Sequence, residues 1–321
     1  MLTTVLVNFN HGRYLPLSLQ SIFRQTRPPD ELIVIDDAST DDSIEVVARL
    51  LPGHSNARLV RNPVNQGTVA NMNDGLRLAQ GSYIHFAAAD DLFYPRLYET
   101  AVDLMTANPG AAVFSSRSDV IDENGRSLDA PIPRAGYPSR RPTFLTPDDV
   151  ARHLMREDAW FMGNAAVFRR ECLVAAGGFC ERLQSFADGY LCRFLSLKYG
   201  ACFSPDILAA WRRIEKGFAS STAASAERTT LIIAAAEQEM LGADIFPAGY
   251  AQRWAGRHEY DVRRRALARE RARSGAASNA VGRLIAALVE KIGIAVLFLK
   301  LRPQDLPAKI RQRLALHLGL L

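Results

Sequence analysis

The first hundred residues alternate between two hydrophobic periods, and that alternation constrains the fold more than any other feature of the chain. Thr3 to Val7 and Glu31 to Ile35 are short apolar, β-branched runs of the kind buried on both faces in a parallel sheet. Ala57 to Val60 and Tyr83 to Ala88 continue the series. Between them, Leu17 to Gln25, Ser43 to Leu51 and Thr68 to Gln80 carry helical spacing. Pro16 suits the start of the first helix, where its missing N–H costs nothing, and Gly81 suits the end of the third. A further helix is expected from about Pro95 to Asn108, stopped by Asn108-Pro109-Gly110, with a strand over Ala111 to Ser115. This βαβαβαβα order predicts an α/β, doubly wound, mostly parallel sheet with helices on both faces.

Such a sheet puts its chemistry at the carboxyl ends of the strands. Strand one ends in Asn8-Phe9-Asn10, strand two in Asp36-Asp37 and strand four in Asp90-Asp91, so two acidic pairs are expected on one rim. Two carboxylates on a tight turn repel each other unless a cation or donor groups neutralise them. A hard divalent ion takes carboxylate and phosphate oxygens together, which makes Asp90-Asp91 a candidate for holding a diphosphate through Mg²⁺ or Mn²⁺. Helix N-capping explains either pair equally simply, with Thr40, Asp41 or Asp42 expected to cap the helix after strand two. A phosphate-accepting aspartate is a weaker reading of Asp36-Asp37, because the lysine and threonine it needs on later strands are not evident. Asn65-Gln66-Gly67 precedes the helix bearing Asn71, and Gly67 permits a turn with positive φ.

From about Ser116 the pattern changes. Pro131 to Pro147 is rich in Pro, Arg and Gly and reads as a loop or crossover. A helix is expected over Asp148 to Arg156, a strand over Ala165 to Arg169 and a helix over Leu191 to Lys198. Asp188 lies just before that last helix, as an N-cap or a catalytic carboxylate. Trp211-Arg212-Arg213 is an aromatic-basic cluster able to hold phosphate or sugar, or merely a solvated pair beside a core Trp. Beyond Glu215 the chain turns alanine- and arginine-rich with helical spacing.

The hydrophobic fraction of 48% and charged fraction of 23% exclude a disordered or fibrous chain. Net charge is +5, but from Thr222 onward 16 Lys/Arg face 9 Asp/Glu, so any anionic partner belongs on the tail. Cys172, Cys180, Cys192 and Cys202 lack metal-ligand spacing and read as buried thiols of a reducing compartment. Met1 runs straight into strand one without a basic leader, so a cytoplasmic location is expected. Neither G-x-G-x-x-G after strand one nor G-x-x-x-x-G-K-[ST] occurs, which argues against dehydrogenases and P-loop NTPases, and nothing points to nucleic acid.

The stretch Val5-Leu6-Val7-Asn8-Phe9-Asn10, the helix through Ser18 to Thr26, and Glu31 to Asp41 together resemble the opening of the family 2 glycosyltransferases. Asn65-Gln66-Gly67, Asn71, Gly75-Leu76, Ala79, Gly81, Tyr83, Ala89-Asp90-Asp91 and Pro95 continue the resemblance in order over roughly the first 115 residues. Gly163 to Arg170, Ala176 to Phe179 and Asp188 resemble the family more loosely, and the tail after about residue 215 does not.

The resemblance implies a GT-A fold and an inverting transfer of sugar from a nucleotide-diphosphate donor (UDP-, GDP- or dTDP-linked) to a hydroxyl of a glycan or lipid-linked acceptor, as in bacterial surface polysaccharide or glycolipid synthesis. It divides the chain into a donor-binding half (1–115), an acceptor and catalytic-base half (116–215) and a helical, basic extension (216–321). It assigns the donor base to Asp37, with Asn8, Phe9 and Asn10 lining the pocket and Asn65, Gly67 and Asn71 beside it. Asp91 becomes the metal ligand, Asp90 its partner in the metal shell or at the donor ribose, and Asp188 the catalytic base. Asn164, Trp211, Arg212 and Arg213 are left as acceptor or phosphate contacts. Where the family's D-x-D motif begins with Asp this chain has Ala89, and Ile214-Glu215 stands where some members supply a histidine to the metal. A non-catalytic nucleotide- or glycan-binding subunit is the rival reading.

In the tail, the apolar stretch from Gly282 to Leu299 is interrupted by Glu290-Lys291 and is too short and charged for a span. It is expected to lie on an anionic membrane, making the protein peripheral, or to dock on the catalytic domain or a second subunit.

Overall fold

The computed structural model describes residues 1–133, 136–214 and 217–274. The first stretch runs β1 (Leu2–Asn8), α1 (Leu15–Phe23), β2 (Glu31–Asp36), α2 (Ser43–Leu50), β3 (Ala57–Arg61), α3 (Thr68–Leu78), β4 (Tyr83–Ala88), β5 (Leu92–Phe93) and α4 (Leu97–Ala107). It continues with β6 (Val113–Ile121), β7 (Ser127–Ile132), β8 (Thr143–Leu145), α5 (Pro147–Arg156), β9 (Val167–Arg169), α6 (Arg170–Ala175), α7 (Ala187–Tyr199) and β10 (Ala201–Arg212). Three helices follow: α8 (Phe218–Ala224), α9 (Ala226–Gly242) and α10 (Tyr250–Ser274).

Among the described residues the strands form one mixed sheet in the order β3-β2-β1-β4-β9-β6-β10-β5, with β7 on β6 and β8 on β10. β1 pairs in parallel with β2 and β4, β2 with β3, and β6 with β10. β9 runs antiparallel to both β4 and β6, so it joins two parallel groups that point the same way. The carboxyl ends of β1, β2, β3, β4, β6 and β10 therefore share one rim, as the sequence predicted for the first four.

Successive side chains of each central strand serve opposite cores, which is why these strands read as continuous apolar runs. Leu6, Leu32 and Val34 pack with Leu15 and Leu19 of α1, Val46 and Val47 of α2 and Leu97 to Met105 of α4. Val5, Ile33, Ile35, Ile84 and Phe86 pack with α3, α5 and α7, and the same cluster takes in Ile233, Ala236 and Met240 of α9 and Tyr250 and Trp254 of α10.

The structure differs from expectation mainly after residue 110. The strand expected to end at Ser115 runs on to Ile121, and the segment expected to be a loop over 131–147 contains the end of β7 and all of β8. β10 was not foreseen: its apolar run is broken by Ser204-Pro205-Asp206, where its register against β6 shifts in a bulge. A proline inside a strand is tolerated at such a bulge because no ladder donor is needed there. α5 starts as expected, with Thr146 and Asp149 forming a reciprocal capping box. α7 begins four residues earlier than expected, which moves Asp188 from before the helix into its first turn.

Candidate active site

Above β1 and β2, the rim is stitched by short hydrogen bonds. Asn8 is buried, and its Nδ2 donates to Asp36 Oδ1 at 2.7 Å and to Ser39 Oγ at 3.1 Å. Asn10 adopts φ 55° and Ala38 φ 60°, left-handed conformations that an asparagine tolerates better than an alanine. That turn lets Asn10 Oδ1 accept from Thr40 N at 2.7 Å, while Phe9 is left 43% exposed beside it. The N-cap of α2 is Asp42, whose side chain makes no cap bond; Asp41 Oδ1 instead accepts from Ser43 N at 3.0 Å.

Asp37 is buried and fully engaged. Its Oδ1 accepts from Asn62 Nδ2 at 2.9 Å and Gln66 N at 2.8 Å, and its Oδ2 from Gly67 N at 2.9 Å. Burial alone would raise its pKa, but these donors together with Asn71 hold it below the ordinary value. Gly67 sits at φ 90°, and Asn71 Nδ2 returns to its carbonyl at 2.8 Å, so the loop leading into α3 is built around one carboxylate. Asn65 is exposed on the same loop.

The second acidic pair lies on the turn between β4 and β5. Asp91 is 3% exposed; burial, then the charge of Asp90, push its pKa well above the usual carboxylate range, and Arg212 and Asn164 offset this only in part. Asp90 is raised too, chiefly by burial, against the pull of His11 and Arg212; His11 Nδ1 stands 3.9 Å from its Oδ1. Arg212 ends β10 and clamps this turn: its N–H donates to Asp91 Oδ1 at 2.8 Å and its Nε to the Asp90 carbonyl at 2.7 Å. Its Nη1 donates to the carbonyls of Asp122 and Glu123 at 2.9 and 3.2 Å, and the guanidinium stacks 4.9 Å from the Tyr14 ring centre. The Arg213 guanidinium stands 5.5 Å from the Trp211 ring centre.

A 3₁₀ turn, Gly163–Ala165, joins the acidic pair to Asp188. The Asn164 side-chain amide stabilises the Asp91 carboxylate and donates to Ser118 Oγ at 3.1 Å. A Cβ on Gly163 would overlap the Asp188 carboxylate, so only glycine allows that approach. Burial pushes the Asp188 pKa up, with the N–H of Gly189 (2.7 Å from Oδ1) and the charge of Arg193 offsetting it in part.

Sequence reasoning missed several residues that shape this site. His85, in the middle of β4, is fully buried, and burial pushes its pKa down to about 4. It links Tyr98 Oη at 2.9 Å to the Asn164 carbonyl at 3.1 Å. Arg193 and Asp158 form a buried ion pair behind Asp188. His85 and Arg193 each stand as a lone ionisable residue inside an apolar run, the sequence signal of a buried polar group, whereas Asp158 follows Arg156-Glu157 and carries no such signal.

Three buried polar atoms along the rim have no hydrogen-bond partner: Asn8 Oδ1, Asn164 Oδ1 and Arg212 Nη2. Orphaned atoms of this kind are costly and rare, and their grouping beside two carboxylates with raised pKa fits a site shaped for a polar ligand. Among the described residues no group of three His, Cys, Asp or Glu side chains could hold a metal alone. That donor set still fits a hard divalent ion, which needs only one or two carboxylates when phosphate oxygens complete its shell. No helix among the described residues is long and apolar enough to cross a membrane, and the apolar stretch 282–299 lies outside them.

Comparison with known proteins bears directly on this rim. An uncharacterised glycosyltransferase of Nostoc sp. is 28% identical over 174 residues, covering 54% of this chain and 52% of that protein. A PGL/p-HBAD biosynthesis glycosyltransferase of Mycobacterium bovis is 32% identical over 94 residues, 29% of this chain and 37% of its own. The chain thus spans about half or less of the length of these relatives. Among solved structures, S. aureus TarS 1–349 in complex with UDP-GlcNAc superposes with a TM-score of 0.62 at 17% identity, covering 80% of this chain and 71% of that one. The mannosyltransferase PcManGT from Pyrobaculum calidifontis, in complex with GDP-Man and Mn²⁺, gives 0.58 at 20% identity, covering 99% and 86%. At these identities the likeness establishes the fold, which is GT-A. The family model for Glycosyl transferase family 2 matches residues 3–171, the stretch that carries Asp37, Asp90, Asp91 and Asn164, and the chain belongs to that family.

Proposed function

We propose that the protein transfers a sugar from a nucleotide-diphosphate donor to a hydroxyl acceptor with inversion at the anomeric carbon, using Asp188 as base. The observation that carries this reading is the turn at Gly163-Asn164, which touches Asp188 on one side and stabilises Asp91 on the other. A base and a diphosphate site must lie about one sugar apart, and a three-residue turn that reaches both carboxylates supports this reading.

The acceptor hydroxyl attacks the anomeric carbon from the face opposite the diphosphate while Asp188 takes its proton. The bond from the anomeric carbon to the diphosphate oxygen breaks, and its electron pair leaves with the diphosphate. The raised pKa of Asp188 strengthens it as a proton acceptor at neutral pH. A divalent cation such as Mg²⁺ or Mn²⁺, held by Asp91 with Asp90 beside it, would supply the charge that offsets the departing diphosphate. On the base side, Phe9 offers an exposed ring for a nucleobase, with Asn8 behind it. Asp37, spent on Asn62, Gln66 and Gly67, serves by shaping the loop that closes this pocket. Trp211 and Arg213 flank Arg212, which clamps the acidic turn, and are the candidates to meet an acceptor or a phosphate. A UDP-, GDP- or dTDP-linked donor fits this reading, as does a glycan or lipid-linked acceptor met at the inner face of a membrane, where the basic tail would help.

The test is a panel of UDP-, GDP- and dTDP-linked sugars assayed for nucleotide-diphosphate release with Mg²⁺ or Mn²⁺. One donor consumed well above the others, and only with metal, supports the proposal. Binding of donors without turnover of any, in the presence of glycan and lipid-linked acceptors, would instead make the chain a non-catalytic binding subunit.

A further inference from the structure

Behind Asp188 lies a buried polar cluster built from two distant parts of the chain. Arg193, on α7, is 7% exposed and directs each of its donor nitrogens to a partner. Nη1 donates to the Gly189 carbonyl at 2.8 Å, Nη2 to the Asp158 carbonyl at 2.7 Å and Nε to Tyr250 Oη at 2.9 Å. Tyr250 Oη donates in turn to Asp158 Oδ2 at 2.9 Å, and Arg257 Nη2 donates to the same oxygen at 2.5 Å. Tyr250 and Arg257 are one face of α10. Four residues on from Tyr250, Trp254 lies on Phe186 with ring centres 4.3 Å apart, and Phe186 immediately precedes α7.

Gly189 is the hinge of this arrangement. Its N–H holds Asp188 Oδ1 at 2.7 Å while its carbonyl is held by Arg193, so the peptide units around the carboxylate are fixed from behind. The charges alternate through the cluster: Arg257, Asp158, Arg193, Asp188. A buried ion left without its partner is strongly destabilising, so the four are kept in register together. α7 and α10 both lie beyond residues 3–171, the part of the chain that the family model matches.

We propose that Tyr250 and Arg257 of α10 are positioning residues for the Asp188 turn, making the helical extension a working part of the active site. This rests on the reading of Asp188 as base. Tyr250 Oη orients Arg193, Arg257 keeps Asp158 ionised and in place, and Arg193 then fixes the Gly189 carbonyl and faces Asp188 with a positive charge. Without the hydroxyl, Arg193 Nε is left unpaired, and the first turn of α7 loses its fixed relation to the Gly163-Asn164 turn.

Tyr250→Phe tests this, because it removes one oxygen and keeps the ring stacked 5.7 Å from Phe246. Arg257→Gln is the second variant, since Arg257 is one-third exposed and leaves no cavity. Turnover is measured with whichever of UDP-glucose, UDP-N-acetylglucosamine or GDP-mannose the wild type hydrolyses fastest, alongside Kd for the matching nucleoside diphosphate with Mn²⁺. Both variants should lose turnover about 10-fold or more while Kd stays within about 2-fold, since small misplacements of a reacting group are that costly. Arg257→Lys should recover part of the loss. Amide hydrogen exchange across 186–193 should quicken in Tyr250→Phe and stay the same in β1, β2 and β4. Unchanged exchange at 186–193, unchanged turnover, or a loss of turnover matched by an equal loss of binding would each overturn the proposal. Asp188→Asn run in parallel separates the two ideas. If it retains turnover, the base assignment falls and this proposal with it; if it is inactive while Tyr250→Phe is not, only the positioning role falls.

Discussion

At Asp91 burial and a neighbouring negative charge act in the same direction, and the carboxyl's pKa rises well above its unfolded value. A carboxyl raised by folding binds its proton more tightly in the folded state, so it weighs against the fold above that unfolded value, and the penalty disappears as pH falls below it. Asp91→Asn keeps an oxygen for the Arg212 N–H and removes the charge. The metal-free variant should therefore melt a few degrees higher than wild type at pH 7.5, at about 2–4 °C per kcal/mol for a chain of this size. It should also lose the further rise that Mn²⁺ with a nucleoside diphosphate gives the wild type; differential scanning calorimetry in both conditions reads the two effects. His85 has the opposite sign. Its pKa lies at about 4 in the fold, so stability is lost as pH falls from the ordinary histidine value of 6.5 through about 4. The loss is about 3 kcal/mol in all. Urea titrations between pH 7 and 4 should show that loss, and His85→Gln should flatten it. The environment of Asp91 was not legible in the sequence, whereas the apolar run around His85 signalled its burial but not its partners. Asp90-Asp91 could be read as a strand-end pair, but that Arg212 would clamp it depended on β10, which the bulge at Ser204-Pro205-Asp206 hides.

The elements that could be read were those whose burial is two-sided. β1, β2 and β4 pack side chains into both cores, so their sequences are unbroken apolar runs with little room for another assignment. β5, with two residues, and β8, with three, are too short to show any period, and β7 lies on the flank of the sheet, paired among the described residues to β6. The loop from β3 to α3 shows the same limit at a functional position. Asp37, Gly67 and Asn71 stand out in the sequence as candidate donor contacts; in the structure the Asp37 carboxylate accepts from Gln66 and Gly67 of its own chain, a bond the sequence does not show. That carboxylate belongs to the loop as a unit. Asp37→Ala strands three donors and should cost about 1–3 kcal/mol. Nucleotide affinity should fall with it, because the loop that borders the base side loses its anchor. A variant that melts like wild type and binds nucleotide equally well would show that the loop holds itself.

Over the whole molecule, α9 and the start of α10, the described part of the helical extension that packs inward, belong to the core. Ile233, Ala236 and Met240 of α9 and Tyr250, Trp254 and Ala255 of α10 are buried in the same cluster as Val5 and Phe86. A chain ended at residue 249 removes a buried Trp and a buried Tyr, each worth about 3–5 kcal/mol, and should not fold. A chain ended at residue 274 keeps every contact described above and should bind nucleotide as the full chain does. If the basic tail carries the membrane affinity, only the full chain should float with vesicles of phosphatidylglycerol and phosphatidylethanolamine; equal flotation would put the membrane contact elsewhere. What joins all three scales is the claim that Asp188 removes the acceptor's proton beside a diphosphate held at Asp90-Asp91. The direct measurement is donor turnover by Asp188→Asn, with Kd for the nucleoside diphosphate and Mn²⁺ measured on the same protein. Turnover should fall by about 100-fold or more, the usual worth of a positioned base, with Kd unchanged. Turnover equal to wild type would contradict that claim.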